Sequence, residues 1–191
     1  MAVEIKKIVQ GDQDAFRILY NQYNVAMYNT CLRMLGHEED ATDALQETFI
    51  KVFQNIGKLE NEALLAAWIK RICVNTCLQI LEKKKKIRWE DIDHSPVLLN
   101  LNDESEIVDE EAHELNMRRL QEAILQLPEK YRVVLTMYAV EDYSHEEIGK
   151  SLGIATATSR SQYMRAKQKL YELLKKNENY VRPLEILHPG A

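Results

Sequence analysis

Between residues 14 and 35 apolar side chains recur at Phe16, Leu19, Tyr20, Tyr23, Met27, Cys31 and Met34. Steps of three and four put them on one face of an α-helix, and Gly36 offers the left-handed residue on which such a helix ends. A second stripe, Leu45, Phe49, Val52, Phe53 and Ile56, predicts a helix from about Asp40 to Gly57. A third, Leu65, Trp68, Ile69, Ile72, Thr76 and Ile80, predicts one from about Asn61 to Lys86. Three helices with one apolar face each can hide those faces only against one another.

After a gap the pattern resumes. Leu115, Leu120, Ala123, Ile124 and Leu127 predict a helix over residues 111–127, and Pro128 opens the next, with Tyr131, Val134, Leu135 and Tyr138 inward. Ser144 is an N-cap for a third helix, and Glu147 three residues on completes a capping box. Gly153 makes a turn, and a fourth helix starts around Thr156 to Thr158 with Tyr163, Ala166 and Leu170 inward. Short helix, glycine turn and longer basic helix is the layout of a helix-turn-helix. The predicted fold class is all-α, with two small helical domains joined by an acidic flexible linker.

Charge sharpens that division. The chain has 191 residues and a formal charge of -5, unevenly spread. Residues 1–89 carry 13 Lys+Arg and 11 Asp+Glu, residues 90–114 none and 10, and residues 115–176 carry 11 and 7. A stretch with no cation, a proline and mutually repelling carboxylates reads as a tether. The expected organisation is a first domain over 1–89, an acidic linker over 90–110, a second domain over 111–176, and a tail over 177–191 with no assignable role.

Other features narrow the class. No apolar run approaches the roughly 20 residues of a membrane span, and MAVEIKKIVQ lacks a long apolar signal core, so a cytoplasmic protein without membrane insertion is expected. Cys73 and Cys77 stand four apart on a predicted helix and, with a histidine, suit zinc. Their neighbours Trp68, Ile69, Ile72 and Ile80 favour thiols packed as small apolar residues, so no metal is expected. There is no glycine-rich phosphate loop and no HExxH, and the His37-Glu38 and His145-Glu146 pairs read as surface residues. A non-enzyme without cofactor is expected.

Two surfaces carry binding chemistry. On the outer face of the third helix Arg71, Asn75 and Gln79 stand four apart, and Lys83, Lys84 and Lys85 come after them, with Lys86 and Arg88 beyond. Arginine and amides hydrogen-bond to bases, and lysines neutralise phosphates. A solvated face with lysines matched to the helix dipole accounts for the same residues. In the last helix Thr156 and Thr158 offer hydroxyls at the start, Arg160 suits guanine, and Arg165 and Lys167 suit phosphates.

The run DATDALQETFIKVF followed by WIKRICVNTCLQILEKKKK resembles region 2 of bacterial sigma factors of the extracytoplasmic-function type, and TATSRSQYMRAKQKL resembles their region 4. The resemblance implies a region 2 helical bundle and a region 4 helix-turn-helix, and hence a transcription initiation factor that binds core RNA polymerase and promoter DNA. It implies that Asp40, Asp43, Gln46 and Glu47, the last three within a DxxQExF pattern completed by Phe49, face the clamp helices of the polymerase. It implies that Asn75 lies near the flipped base of the minus-ten element, with residues 55–67 shaping that pocket, and that Arg160, Ser161, Met164 and Arg165 face the minus-thirty-five element. An anti-sigma partner is commonly part of such a system.

The sequence departs from the pattern at Thr42, in place of an acid, and at Ala157, Ser159 and Gln162. From these a weaker polymerase contact at Thr42 and poor affinity for isolated promoter DNA are expected, with Gln162 counted as a missing phosphate cation. A stand-alone helix-turn-helix regulator and a helical adaptor or anti-sigma-binding protein remain as alternatives.

Overall fold

Asp12 begins the first long helix because its carboxylate accepts from the backbone N–H of Asp14 (2.9 Å) and Ala15 (3.1 Å), two donors that the helix itself leaves unsatisfied. The structure is a computed structural model that describes residues 5–84 and 110–176. The linker before residue 110, the tail 177–191, and Lys85, Lys86 and Arg88 lie outside the described residues. The chain divides into two units, Met1–Lys86 and Ile87–Ala191. Among the described residues every regular element is helical.

The first unit contains α1 (Ile5–Val9), α2 (Gln13–Leu35), α3 (Glu38–Asn55) and α4 (Leu65–Lys83). Helix α1 has no readable stripe; it packs on α2 and on the 3-10 turn Ile56–Lys58. Gly36 ends α2 at φ 81, as the pattern required, and its N–H returns to the Leu32 carbonyl at 2.8 Å. Helices α2, α3 and α4 pack on one another around Leu19, Met27, Met34, Val52, Ile69 and Val74. Thr30 and Thr48 are buried, yet their hydroxyls donate to the carbonyls of Ala26 (3.1 Å) and Ala44 (2.7 Å), so neither leaves a lost donor in the core.

Helix α4 is rotated from the expected register. Ile69 and Thr76 are buried as predicted, but Trp68, Ile72 and Ile80 sit at its flanks, half-buried, and Cys73, Val74, Cys77 and Leu81 take the centre. With the turn before it, the segment Glu62–Lys83 is long and apolar enough to cross a membrane by length and composition alone, although Lys70, Arg71 and Glu82 interrupt its apolar run. Its stripe is packed against α2 and α3.

The second unit contains α5 (Glu110–Leu125), α6 (Glu129–Ala139), α7 (His145–Leu152) and α8 (Thr156–Lys176). Helix α6 is buried from Tyr131 through Met137, polar residues included. Arg132 is accommodated there because Nη1 donates to the carbonyls of Leu127 (3.1 Å) and Leu125 (3.4 Å), closing the end of α5. Leu115, expected inward, is 50% exposed, while Asn116 beside it is 5% exposed, so the inner face of α5 starts one residue later.

The expected Ser144–Glu147 capping box forms at the start of α7, the Ser144 N–H donating to Glu147 Oε2 at 2.9 Å. Gly153 reverses the chain at φ 68, and the chain then folds back over α7 so tightly that a Cβ on Gly149 would lie 2.8 Å from the Ile154 carbonyl oxygen. Backbone cannot yield as a side-chain tip can. Helix propensity alone favours alanine over glycine by about 1 kcal/mol. Gly149→Ala is nonetheless expected to lower stability, by about 1–3 kcal/mol as for other overpacked sites. A lower thermal midpoint by circular dichroism is the readout.

Candidate nucleic-acid interface

Because α4 buries one side, its other side presents Arg71, Asn75 and Gln79 as an exposed column, each one turn beyond the last. Lys83 and Lys84 are exposed at its end; Lys85 lies outside the described residues. Gln79 does not stand alone. Lys51 on α3 reaches across, its ammonium donating to Gln79 Oε1 at 2.8 Å and Thr76 Oγ1 at 3.1 Å, and pairing with Glu47 Oε1 at 2.8 Å. The Gln79 amide oxygen is thereby occupied. Sequence reasoning missed Lys51, which carries no stripe or motif of its own.

The acidic candidates on α3 separate into two kinds. Asp43 and Gln46 are exposed, while Asp40 pairs with Lys84 and Glu47 is held by Lys51. The Lys51 hydrogen bond holds the Glu47 carboxyl below the usual carboxylate range despite some burial. Two of the expected polymerase contacts are thus salt-bridged to the cationic side of the unit. Thr42 is exposed, its hydroxyl donating to the Glu38 carbonyl at 2.9 Å. Residues 55–67 contain two 3-10 turns, Ile56–Lys58 and Glu62–Leu64, between the end of α3 and the start of α4, with Asn61 capping the second through Ala63 N–H at 3.0 Å.

In the second unit Thr156, Arg160, Met164 and Lys167 fall on one side of α8, with Ser161 and Arg165 in the adjoining column. Arg160 is exposed, Met164 is 37% exposed, and Thr156, Thr158, Ser161, Arg165 and Lys167 are half-buried. Ser161 Oγ donates to the Thr158 carbonyl at 2.9 Å, and the Lys167 ammonium lies 5.8 Å from the Tyr163 ring centroid. Tyr163, Ala166 and Leu170 face inward, as their spacing predicted.

Gln162 corrects one expectation. It is 2% exposed, so its side chain belongs to the core and replaces no phosphate cation. Ser159 is fully buried too, and its hydroxyl meets His145 Nδ1 at 3.0 Å. What the turn loses in apolar contact it recovers as a hydrogen bond between α7 and α8. His145, expected on the surface, is half-buried, stacked on Tyr138 with centroids 4.1 Å apart and planes at 11°.

Sigma-70 region 2 matches residues 19–87, and sigma-70 region 4 matches residues 117–170. The chain is 31% identical over 178 residues to the ECF RNA polymerase sigma factor SigW of Bacillus subtilis, covering 90% of this chain and 95% of that one. It is 27% identical over 190 residues to the ECF RNA polymerase sigma-E factor of Haemophilus influenzae, covering 94% of each. The fold matches CnrH, solved in complex with the cytosolic domain of CnrY, with a TM-score of 0.51 at 22% identity, over 91% of this chain and 96% of that one. The chain therefore belongs to the extracytoplasmic-function group of sigma-70 RNA polymerase sigma factors.

Burial first, and the Arg160 cation after it, push the His145 imidazole below its ordinary value. The unfolded chain then binds more protons than the folded one as pH falls. The contribution is intact above about pH 6.5 and is lost as pH drops through the unfolded and then the folded value. The protection factors of amides in α7 and α8, corrected for the intrinsic slowing of exchange at lower pH, are expected to fall between about pH 7 and pH 5, and His145→Gln to flatten that trend. The ring is partly solvated, so the effect should stay below about 1 kcal/mol.

Proposed function

We propose that the first unit docks on core RNA polymerase and captures the melted minus-ten strand, while the second reads the minus-thirty-five element. The observation that carries this reading is the column Arg71, Asn75 and Gln79, displayed outward by a helix whose opposite side is wholly buried. Asn75 receives the flipped base, Arg71 and Gln79 its neighbours, and Lys83, Lys84 and Lys85 the adjoining phosphates. Opening the duplex costs a few kcal/mol per extruded base, which capture of the unpaired base offsets. Binding energy alone serves that purpose, so the protein acts as a non-enzyme.

Asp43 and Gln46 meet the polymerase directly, Asp40 does so by exchanging its Lys84 partner for a polymerase cation, and Glu47 does so while paired with Lys51. In the second unit Arg160 reads base edges, Thr156, Thr158, Ser161 and Met164 line the groove beside it, and Arg165 and Lys167 hold phosphates. The working division is residues 1–89 for polymerase and minus-ten contact, 90–110 as acidic linker, and 111–176 for minus-thirty-five contact. The site of action is the cytoplasm, where polymerase and promoter meet. An anti-sigma chain that covers the two faces belongs to the same reading; CnrH, which shares the fold, was solved with the cytosolic domain of CnrY.

Run-off transcription with purified core polymerase tests the proposal. Arg160→Ala is expected to reduce transcripts by about 5- to 160-fold, the range that one base contact of 1–3 kcal/mol sets. Asn75→Ala should block promoter opening, read by permanganate reactivity of unpaired thymines, while both variants still associate with core polymerase. Tight, specific duplex binding without polymerase would instead identify a stand-alone regulator.

A further inference from the structure

The core of the first unit holds a group for which transcription has no evident use. Cys31 of α2 joins Cys73 and Cys77 of α4, and the three sulfurs lie within 4.8 Å of one another, all fully buried. Cys31 Sγ and Cys73 Sγ are 3.4 Å apart. Residues one helical turn away on the same faces, Met27 and Leu35 on α2 and Ile69 and Leu81 on α4, are buried and apolar.

A soft ion with sulfur bonds of about 2.3 Å, the distance thiolates take around zinc, spans a three-sulfur triangle with edges of about 4 Å. The thiols already stand close to that spacing. The identity of the ion depends on donor count and charge. Structural zinc takes four ligands, and among the described residues the histidine, cysteine and carboxylate donors that converge here number three. Three thiolates also carry three negative charges into an apolar core, where any net charge left over is costly. A divalent ion leaves one negative charge and a monovalent ion two; a trivalent ion leaves none.

We propose that Cys31, Cys73 and Cys77 form a trithiol site for one soft trivalent ion of the arsenite class, clamping α2 to α4. Binding is a ligand exchange without redox change. Arsenous acid meets three thiols, three As–S bonds replace three As–O bonds, and each hydroxide leaves as water with a thiol proton. The hydrogen bonds with Cys31, and burial after them, hold Cys73 and Cys77 protonated at neutral pH, so these thiols enter the exchange uncharged. Entry requires α2 and α4 to part briefly, so uptake tracks opening of the core and is slow.

The test uses the full chain, reduced with a phosphine and equilibrated with arsenite. Native mass spectrometry should show one arsenic per chain, and X-ray absorption should show three sulfur neighbours and no oxygen. Cys31→Ser should weaken binding on the order of a hundredfold, the loss expected when one of three linked donors is removed. Zinc at equal concentration should fail to displace the arsenic. Four results overturn the proposal: no uptake at equilibrium, an oxygen neighbour on arsenic, Cys31→Ser binding like the parent, or displacement by zinc. If Cys31→Ser does not fold, judged by circular dichroism, the sulfur count on the parent chain decides.

Discussion

The burial of one side of α4 between α2 and α3 is the constraint on which the first unit rests. Ile69, Cys73, Val74, Thr76 and Cys77 are sealed from water, and each large apolar side chain among them contributes about 1.5–3 kcal/mol. A helix so fixed cannot rotate about its own axis, and the direction of Arg71, Asn75 and Gln79 is set by the same packing. Rigidity has a thermodynamic use in binding. Side chains that project from an immobile helix lose less entropy on meeting a ligand than the same residues on a loop. Lys51 extends this by holding the Gln79 amide oxygen, which fixes one side chain of that column in advance.

The second unit reaches a similar end by other means. Its last helix is aimed by the turn before it, and that turn depends on a backbone approach that only Gly149 admits. The capping box fixes where α7 begins, the left-handed Gly153 where it ends, and the His145–Ser159 hydrogen bond ties α7 to the first turns of α8. Arg160 comes directly after Ser159, so the pinned residue and the outward one share a turn. Placing a polar pair at that junction gives it a direction that apolar packing lacks, while making it sensitive to the charge on one imidazole.

Periodicity makes most of this fold legible because burial acts on every third or fourth residue, and a stripe of Leu, Met and Phe repeats often enough to be averaged. The helix end at Gly36 and the Ser144–Glu147 box have chemistry tied to the backbone and are equally readable, because their residue types are distinctive. Periodicity misleads where residue type and environment part company. Gln162 is polar and buried, and Leu115 apolar and exposed, whereas Cys73 and Cys77 are packed as buried thiols as their neighbours suggested. The reach of Lys51 across to α4 and the arrival of Cys31 beside Cys73 are pairings distant in sequence, which no local pattern encodes. Gly149 is silent for a different reason, since the need for it arises from a carbonyl five residues later.

The chain's -5 charge is compatible with nucleic-acid binding because base contacts need not rest on net attraction to phosphate. Lys84 is engaged by Asp40 and Lys51 by Glu47, so part of the basic character of the first unit is already neutralised. Nonspecific affinity for DNA grows with each phosphate neutralised and weakens steeply with salt. A unit in which Lys51 and Lys84 are already paired, in a chain with ten carboxylates between residues 90 and 114, gains less from that effect than its count of lysines and arginines suggests. On the proposed reading this is an advantage. A specificity subunit that bound duplex DNA tightly by itself would be dispersed over nonspecific sites, whereas one that relies on hydrogen bonds to unpaired bases engages only where polymerase has brought it. The Asp40–Lys84 pair then gains a second meaning: a basic polymerase surface competing for Asp40 would release Lys84 toward phosphate, linking docking on one face to charge on the other.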